Sequence, residues 1–170
     1  HVITKPLLED FSPSFDPEGK YLYFLSKRTY APVYDDLQFE MGFPKGTKLY
    51  LILLDDTLVS PFIPRLKEEE QKPQKKEEKK PAPPKPIKID LKGIEDRLLE
   101  FPVEAGNYAS IRGLPGKALY LSFPLHSLLE NNGEDSASQG SLKCYDFEAL
   151  KEETLLSKVG SYVLSANCQW

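Results

Sequence analysis

Short apolar runs separated by turn-forming residues dominate the chain. The stretch FSPSFDPEGKYLYFLSKR, residues 11–28, places two such runs on either side of an Asp-Pro-Glu-Gly turn, and this order predicts a β-hairpin. The run TKLYLILL, residues 47–54, predicts a third strand that is apolar on both faces. Strands of this kind lie inside sheets that are covered on both sides. The pattern therefore predicts stacked sheets with central, buried strands.

The turn of the first hairpin has residues suited to a tight reversal. Asp16 can accept hydrogen bonds from turn amides, Pro17 fixes its own φ, and Gly19 can adopt a positive φ. We therefore expect Asp16 and Gly19 to have structural roles.

A second hairpin repeats the pattern. NYASIRGL (107–114), a Pro-Gly turn and KALYLSF (117–123) follow the same order, and the Lys-x-Leu-Tyr of residues 117–120 matches that of residues 20–23. LKCYDFEAL and KEETLLSKVGS predict two further strands, and YVLS at 162–165 starts the motif again. The sequence thus predicts an internal repeat of about four strands per unit.

The remaining predicted strand lies between the two repeats. PIKIDLKGIEDRLLEFPV, residues 86–103, predicts a strand or a bent pair of strands around Gly93.

Four-stranded repeats with both faces buried are typical of β-propeller blades. A β-sandwich has similar short strands but does not predict the recurrent hairpin. The predicted fold is all-β, with about two four-stranded blades of a β-propeller, incomplete in this chain. A closed propeller needs at least four blades, so the chain is expected to be part of a larger protein. The predicted division is 1–10 as a strand closing a preceding blade, 11–103 as the first blade, 104–161 as the second, and 162–170 as the start of a further blade.

One segment differs sharply in composition from the rest. Residues 67–86, KEEEQKPQKKEEKKPAPPKP, contain seven Lys, five Glu and five Pro, and they predict a disordered, solvated insertion in the first blade. A Pro-rich docking segment is the alternative. The net charge of the chain is −4, so the other residues carry −6 and form no surface for nucleic acid.

No apolar run approaches the roughly 20 residues that span a bilayer, so no membrane partner is expected. The first residues lack the basic start and apolar core of a signal peptide, which favours the cytoplasm.

Three stretches together resemble the seven-bladed propeller of the tricorn protease family, the large self-assembling serine peptidases. They are PSFDPEGKYLYFLSKR (13–28), KLYLILLDDTLVSPF (48–62) and IKIDLKGIEDRLLEFPVEAGNY (87–108), and the third is the most specific. A weaker similarity, YVLSAN (162–167), departs from the family where Asn167-Cys168-Gln169 replaces the usual Asp-Gly-Lys. The resemblance covers most of the chain outside 67–86 and roughly 125–140.

The resemblance implies a supporting role. In this family the catalytic serine, its histidine and the oxyanion groups lie in domains beyond the propellers, so no catalytic residue is carried over to this chain. The propeller is expected to filter unfolded polypeptide on its way to a proteolytic chamber, without a metal or an organic cofactor. Its partners would be the other blades and domains of the parent chain, the polypeptide substrate and, in the full-length protein, further copies. Two alternatives are a TolB-like interaction propeller without a peptidase and the gating propeller of a prolyl-oligopeptidase-like hydrolase.

The residues themselves offer little catalytic chemistry. His126 is the only internal histidine, and no GxSxG motif accompanies it. Cys144 is expected to be a small apolar strand residue, and with Cys168 it lacks the CxxC spacing of a metal or redox site.

Several polar and aromatic residues that could form sites are expected to have structural roles. A carboxylate pair drawn from Asp90, Glu95 and Asp96 beside Arg97 would suit a hydrolase, but ion pairs or turn caps are the simpler reading. Asp55-Asp56 predicts a solvated turn and lacks the further oxygens of a calcium site. The aromatic residues expected in the core are Tyr21, Tyr23, Phe24 and Tyr50. The segment 29–46 is expected to be a long loop that contacts either polypeptide or a neighbouring domain.

Overall fold

The computed structural model describes residues 2–4, 9–29, 33–35, 40–42, 45–64, 87–124 and 140–165. These residues form ten β-strands and one 3-10 helix, Ile94–Arg97. The strands are β1 (Asp10–Phe15), β2 (Tyr21–Ser26), β3 (Val33–Asp35), β4 (Glu40–Gly42), β5 (Lys48–Leu53), β6 (Leu98–Glu100), β7 (Asn107–Leu114), β8 (Lys117–Phe123), β9 (Ser141–Asp146) and β10 (Lys151–Ser157). Among the described residues, no helix is long and apolar enough to cross a membrane.

The strands build two four-stranded antiparallel sheets. The first sheet has the order β1-β2-β5-β6, and the second has the order β7-β8-β9-β10. A separate two-stranded hairpin, β3-β4, lies within the predicted loop 29–46. In each large sheet the strands follow one another in chain order, as in a propeller blade. The predicted all-β fold with four strands per unit is confirmed, and so is the first hairpin.

The turn between β1 and β2 is closed by Asp16. Its Oδ2 accepts the backbone N–H groups of Glu18, at 3.1 Å, and Lys20, at 3.2 Å. Gly19 has φ +71°, which a side chain would strain. The Asp16 side chain is buried, and burial raises the pKa of its carboxyl group. The roles predicted for Asp16 and Gly19 are thus present in the structure.

The strand β5 lies in the interior of the first sheet, between β2 and β6. Its side chains alternate between two apolar clusters. Leu49, Leu51 and Leu53 face the second sheet, whereas Tyr50 and Ile52 face the opposite side. The prediction of a strand that is apolar on both faces is therefore confirmed.

The largest core lies between the two sheets. Its fully buried members include Tyr23 and Leu25 from the first sheet and Ile111 and Tyr120 from the second. Partly buried Phe62 and Phe147 pack against Phe101 and Tyr145, with ring centroids 5.1 to 5.8 Å apart and several edge-to-face pairs. Aromatic pairs in such arrangements add stability beyond the area they bury.

The two sheets approach most closely at their first strands. Both β1 and β2 contact β7, whereas β6 and β10 make no comparable contact in the part of the chain that the structure describes. Gly113 on β7 permits this approach, because a Cβ atom there would lie 2.6 Å from Tyr23 Cε2 and 3.2 Å from the Asp16 Cα. The large aromatic side chains fill the space farther out. The gap between the sheets therefore widens outward, as between neighbouring blades of a propeller.

Ser12 joins the first strands of the two sheets. Its φ of 54° is unusual for a residue with a side chain, and it lies in a bulge of β1 between Phe11 and Ser14. The Ser12 hydroxyl accepts the Ile111 backbone N–H of β7 at 3.3 Å. The bulge thus directs one polar side chain across to the neighbouring sheet.

The predicted alignment of the two hairpins, which pairs Tyr23 with Tyr120 through their Lys-x-Leu-Tyr motifs, is one residue out of register. Tyr23 and Tyr120 both point into the core between the sheets, from opposite sides. Equivalent residues of successive blades must face the same way around a ring, so Tyr120 corresponds to Phe24 rather than to Tyr23. The pairing beside the two turns does not explain the shift, because six residues separate Phe15 from its partner Leu22 and six also separate Arg112 from its partner Leu119. A shift of one residue exchanges the two faces of a strand.

Each sheet also has an apolar outer face. On the first sheet it comprises Phe24, Tyr50 and Ile52, with Ile94 packed against them. Phe15 lies opposite Leu22 on this face and is 51% exposed. The outer face of the first sheet is thus partly open.

The outer face of the second sheet comprises Leu119, Leu142 and Cys144. Val159, Tyr162 and Leu164 pack against it, and the Tyr162 hydroxyl donates to the Leu119 carbonyl at 3.1 Å. The repeated motif at 162–165 therefore lies against the second sheet, although its described residues form no strand.

The predicted strands around Gly93 are only partly present. Residues 87–91 form no strand, Gly93 has φ +65°, and the 3-10 helix Ile94–Arg97 precedes a short β6. Of the predicted strand or bent pair of strands, the structure contains the single strand β6, and the alternative of a pair is wrong. Arg97 explains the bend, because its guanidinium donates to the carbonyls of Leu54 and Asp90 and holds the two segments together. The predicted insertion 67–86 lies outside the described residues.

We predict that Gly113→Ala destabilises the chain by about 1–3 kcal/mol, the usual cost of overpacking a core. The added methyl group would overlap the Tyr23 ring and press on the Asp16 backbone. Urea unfolding measures the loss. Gly160→Ala is the control and should change stability little, because no atom lies within 4 Å of the Cβ position at Gly160. Equal stabilities for the two variants would contradict the close approach of the sheets.

We predict that Asp16→Ala costs about 1–3 kcal/mol, because two turn N–H groups lose their acceptor. Asp16→Asn should cost less, since an amide oxygen can accept the same bonds without a charge. The raised pKa of Asp16 means that its ionised form is disfavoured in the folded chain. Wild type should therefore lose stability relative to Asp16→Asn as the pH rises above about 4, the ordinary pKa of an aspartate. Urea unfolding across this range checks both statements, and identical losses for the two variants would refute them.

Candidate functional site

The first strand of each sheet has one unpaired edge. Neither β1 nor β7 has a second strand partner among the described residues. Pro13 on β1 is exposed, as are Asn107, Ala109 and Arg112 on β7. Each strand also carries a bulge, and that of β7 lies at Ala109, between Tyr108 and Ser110. Bulges redirect side chains and limit pairing at sheet edges. These two edges present a polar and small-residue surface.

A groove of about 340 Å³ lies at one end of the second sheet. It extends across the whole sheet, with Asn107 on β7, Ser122 on β8, Lys143 on β9 and Glu152 on β10 among its lining residues. The connection between the two sheets, residues 102–106, forms another wall, and Lys45 also lines the groove. Residues far apart in the sequence thus meet at this groove.

The 102–106 wall is held in place at both ends. The buried Phe101 donates its backbone N–H to the Leu49 carbonyl at 3.0 Å, and Gly106 pairs with Thr47 through two backbone hydrogen bonds of 2.9 and 3.2 Å. The Tyr108 hydroxyl donates to the Glu104 carbonyl at 2.7 Å. Burial raises the pKa of Tyr108 to about 12, so this hydroxyl stays a donor at neutral pH. The wall is therefore ordered without a ligand.

The opposite wall contains a partly exposed polar network. Lys143 Nζ lies 2.6 Å from Glu152 Oε1, and the Tyr120 hydroxyl donates to the other Glu152 oxygen. Burial raises the pKa of Tyr120 well above its ordinary value, with the Glu152 carboxylate adding to the effect. Tyr120 therefore remains protonated and fixes the position of Glu152.

The predicted site residues do not converge on a catalytic arrangement. His126 and Cys168 lie outside the described residues. Cys144 is buried on β9, and burial raises the pKa of its thiol, in keeping with the predicted role as a small apolar residue. Glu95 and Asp96 are exposed on the 3-10 helix instead of a strand.

Asp90 instead joins the two acidic residues after β5. Carboxylate oxygens of Asp55, Asp56 and Asp90 lie within 4.8 Å of one another. The Lys88 ammonium lies 2.9 Å from Asp55 Oδ2 and 3.0 Å from Asp90 Oδ2. These hydrogen bonds to Lys88 hold the pKa values of Asp55 and Asp90 below their usual range. The cluster is an exposed ion-pair network, and its charge is partly neutralised by Lys88.

The groove is not predictable from the local sequence. Its members Lys45, Asn107 and Lys143 are single polar residues in different segments, and no motif connects them. The only local sequence feature that belongs to the groove is the segment 102–108, with its Pro-Val and Gly-x-Tyr, because this segment contains the ordered wall.

Comparisons with known proteins agree with this architecture. A family model described as "Tricorn protease second beta propeller domain" matches residues 1–170. The chain is 35% identical over 166 residues to a "Tricorn protease homolog" of Saccharolobus solfataricus, with 97% of this chain covered. It is 38% identical over 151 residues to "Tricorn protease homolog 1" of Streptomyces coelicolor, with 86% covered. The chain spans 14% of the length of each of these relatives.

A solved structure supports the fold. The structure titled "Crystal structure of the tricorn protease" superimposes with a TM-score of 0.73, covering 97% of this chain and 15% of that chain at 24% sequence identity. The two four-stranded sheets are thus blades of a β-propeller that is incomplete within these residues. On the match of the whole chain and the identities to both homologues, this chain belongs to the tricorn protease family, as part of its second β-propeller domain.

Proposed function

We propose that this chain is a non-catalytic propeller segment of a tricorn-like serine peptidase. Its role would be to shape the access of unfolded polypeptide to a proteolytic chamber in the cytoplasm. The observation that carries the proposal is the match of all 170 residues to the second propeller domain of a family whose members are named proteases. The parent chain, with further copies of itself, would supply the active site.

The two sheets support a division of the chain into blades. We assign 11–103 to a first blade and 104–161 to a second, with 1–10 closing a preceding blade and 162–170 starting the next. The packing of Tyr162 and Leu164 on the outer face of the second sheet supports the last assignment. The partly open face at Phe15 supports a preceding blade.

The access role rests on the unpaired edges of β1 and β7. Neighbouring blades are closest near the axis of a propeller, so the close contact of these strands supports a position of both edges beside the central channel. The exposed Ala109, in the bulge of β7, would then lie beside passing polypeptide. A small residue at this position leaves the channel open.

We predict that Ala109→Trp in the full-length parent protein slows cleavage of an unfolded polypeptide more than that of a short peptide. The indole would narrow the channel for a long chain, whereas a short peptide diffuses past it. The expected loss in kcat/KM for unfolded casein is threefold or more, which is ~0.7 kcal/mol. Steady-state kinetics with casein and a chromogenic tripeptide measure the difference.

Val59→Trp, at an exposed position in the connection after β5, is the matched control and should leave both rates unchanged. Equal slowing of both substrates by Ala109→Trp, or no slowing of either, would exclude the access role. A parent protein that cleaves neither substrate would exclude the peptidase assignment itself.

A further inference from the structure

The groove at the end of the second sheet begins at Asn107 on the unpaired edge of β7 and extends away from that edge. Its lining extends from Asn107 on β7 to Glu152 on β10, so it runs across the blade from the inner strand to the outer strand. Its volume of about 340 Å³ lies within the range of ligand-binding clefts in proteins. A ligand in the groove would therefore approach the channel from the side of the blade.

The groove is shaped before any ligand binds. Gly106 is fixed to Thr47 by two backbone hydrogen bonds, and Tyr108 bonds the Glu104 carbonyl. On the opposite side, Glu152 is held by both Lys143 and Tyr120. Walls that are already ordered lose little conformational entropy when a partner binds.

The wall 102–106 offers main-chain groups to a partner. Within the described part of the chain, the peptide groups of Val103 and Ala105 make no hydrogen bond. Both residues line the groove, and the side chain of the exposed Asn107 adds an amide donor and acceptor. Mixed donors and acceptors of this kind match the peptide groups of another chain.

The charges of the groove are balanced. Lys45 and Lys143 are matched by Glu104 and Glu152. A nucleic acid would require a net positive surface. A fatty acyl chain would require a largely apolar lining, whereas the lining here mixes polar groups with the rings of Tyr108 and Phe123.

From these observations we propose that the groove binds an extended segment of unfolded polypeptide, mainly through its backbone, and guides it toward the inner edge of β7. The proposal deepens the proposed function and rests on it, since it names a contact site for the same substrate class. Because the groove carries no net charge and uses backbone groups, binding tolerates different sequences and changes little with salt.

Site-specific photocrosslinking in the full-length parent protein tests this proposal. Benzoylphenylalanine replaces Asn107 in one variant and Lys92, an exposed residue before the 3-10 helix, in the control. The probe is fluorescent, reduced and carboxymethylated casein. We expect at least fivefold more crosslinked casein at position 107 than at position 92, with the product competed away by excess unlabelled casein. Adding Ser122→Trp, which fills the groove, should lower the yield at position 107 at least threefold, whereas Val59→Trp should not.

Equal yields at positions 107 and 92, or a yield that Ser122→Trp does not change, would overturn the proposal. Crosslinks from position 107 only to other domains of the parent would also overturn it, because the groove would then be an internal contact. Casein cleavage is measured separately. If the parent protein cleaves casein but position 107 does not crosslink to it, only the role of the groove is rejected. If position 107 crosslinks to casein but the parent protein does not cleave it, only the peptidase assignment is rejected.

Discussion

The close approach of the two sheets at Gly113 is the constraint on which the architecture depends. A single missing side chain lets the Tyr23 ring and the Asp16 backbone meet β7 directly. Farther from this point the sheets are separated by the rings of Phe101 and Tyr145. Small residues at one side of an interface and large ones at the other set a gap that widens outward, because interiors are packed to nearly constant density.

An interface of this shape can be repeated around an axis, and its repetition leaves two apolar faces on any two-blade segment. On the second sheet, the segment with Tyr162 and Leu164 covers that face. On the first sheet, Phe15 stays half exposed although Phe24 and Ile52 are buried. The membership of this chain in a family with a second propeller domain accounts for both faces, since adjoining blades would complete them.

Local sequence patterns predicted those parts of the fold that depend on neighbouring residues. The turn at Asp16 follows from the turn-forming residues around it, and it is present. The two apolar faces of β5 follow from the alternating direction of side chains along a continuous apolar strand, and both faces are present. The register between the two hairpins was predicted one residue out, because the Lys-x-Leu-Tyr motifs are alike in sequence although Tyr23 faces the following sheet and Tyr120 faces the preceding one. The bend before β6 was missed because Arg97 makes it by bonding the carbonyl of Leu54, 43 residues away in the sequence. The groove was missed for the same reason, since its walls come from separate segments.

The most direct test of the repeated interface is the reactivity of a cysteine at the partly open face. Phe15→Cys is introduced into the full-length parent, and its labelling rate by a maleimide is compared with the rate in urea. If a preceding blade covers this face, labelling in the folded protein should be at least a hundredfold slower than in urea, whereas Lys92→Cys should react at a similar rate in both. Rapid labelling of Phe15→Cys in the folded parent would show that no blade packs there and would contradict the account.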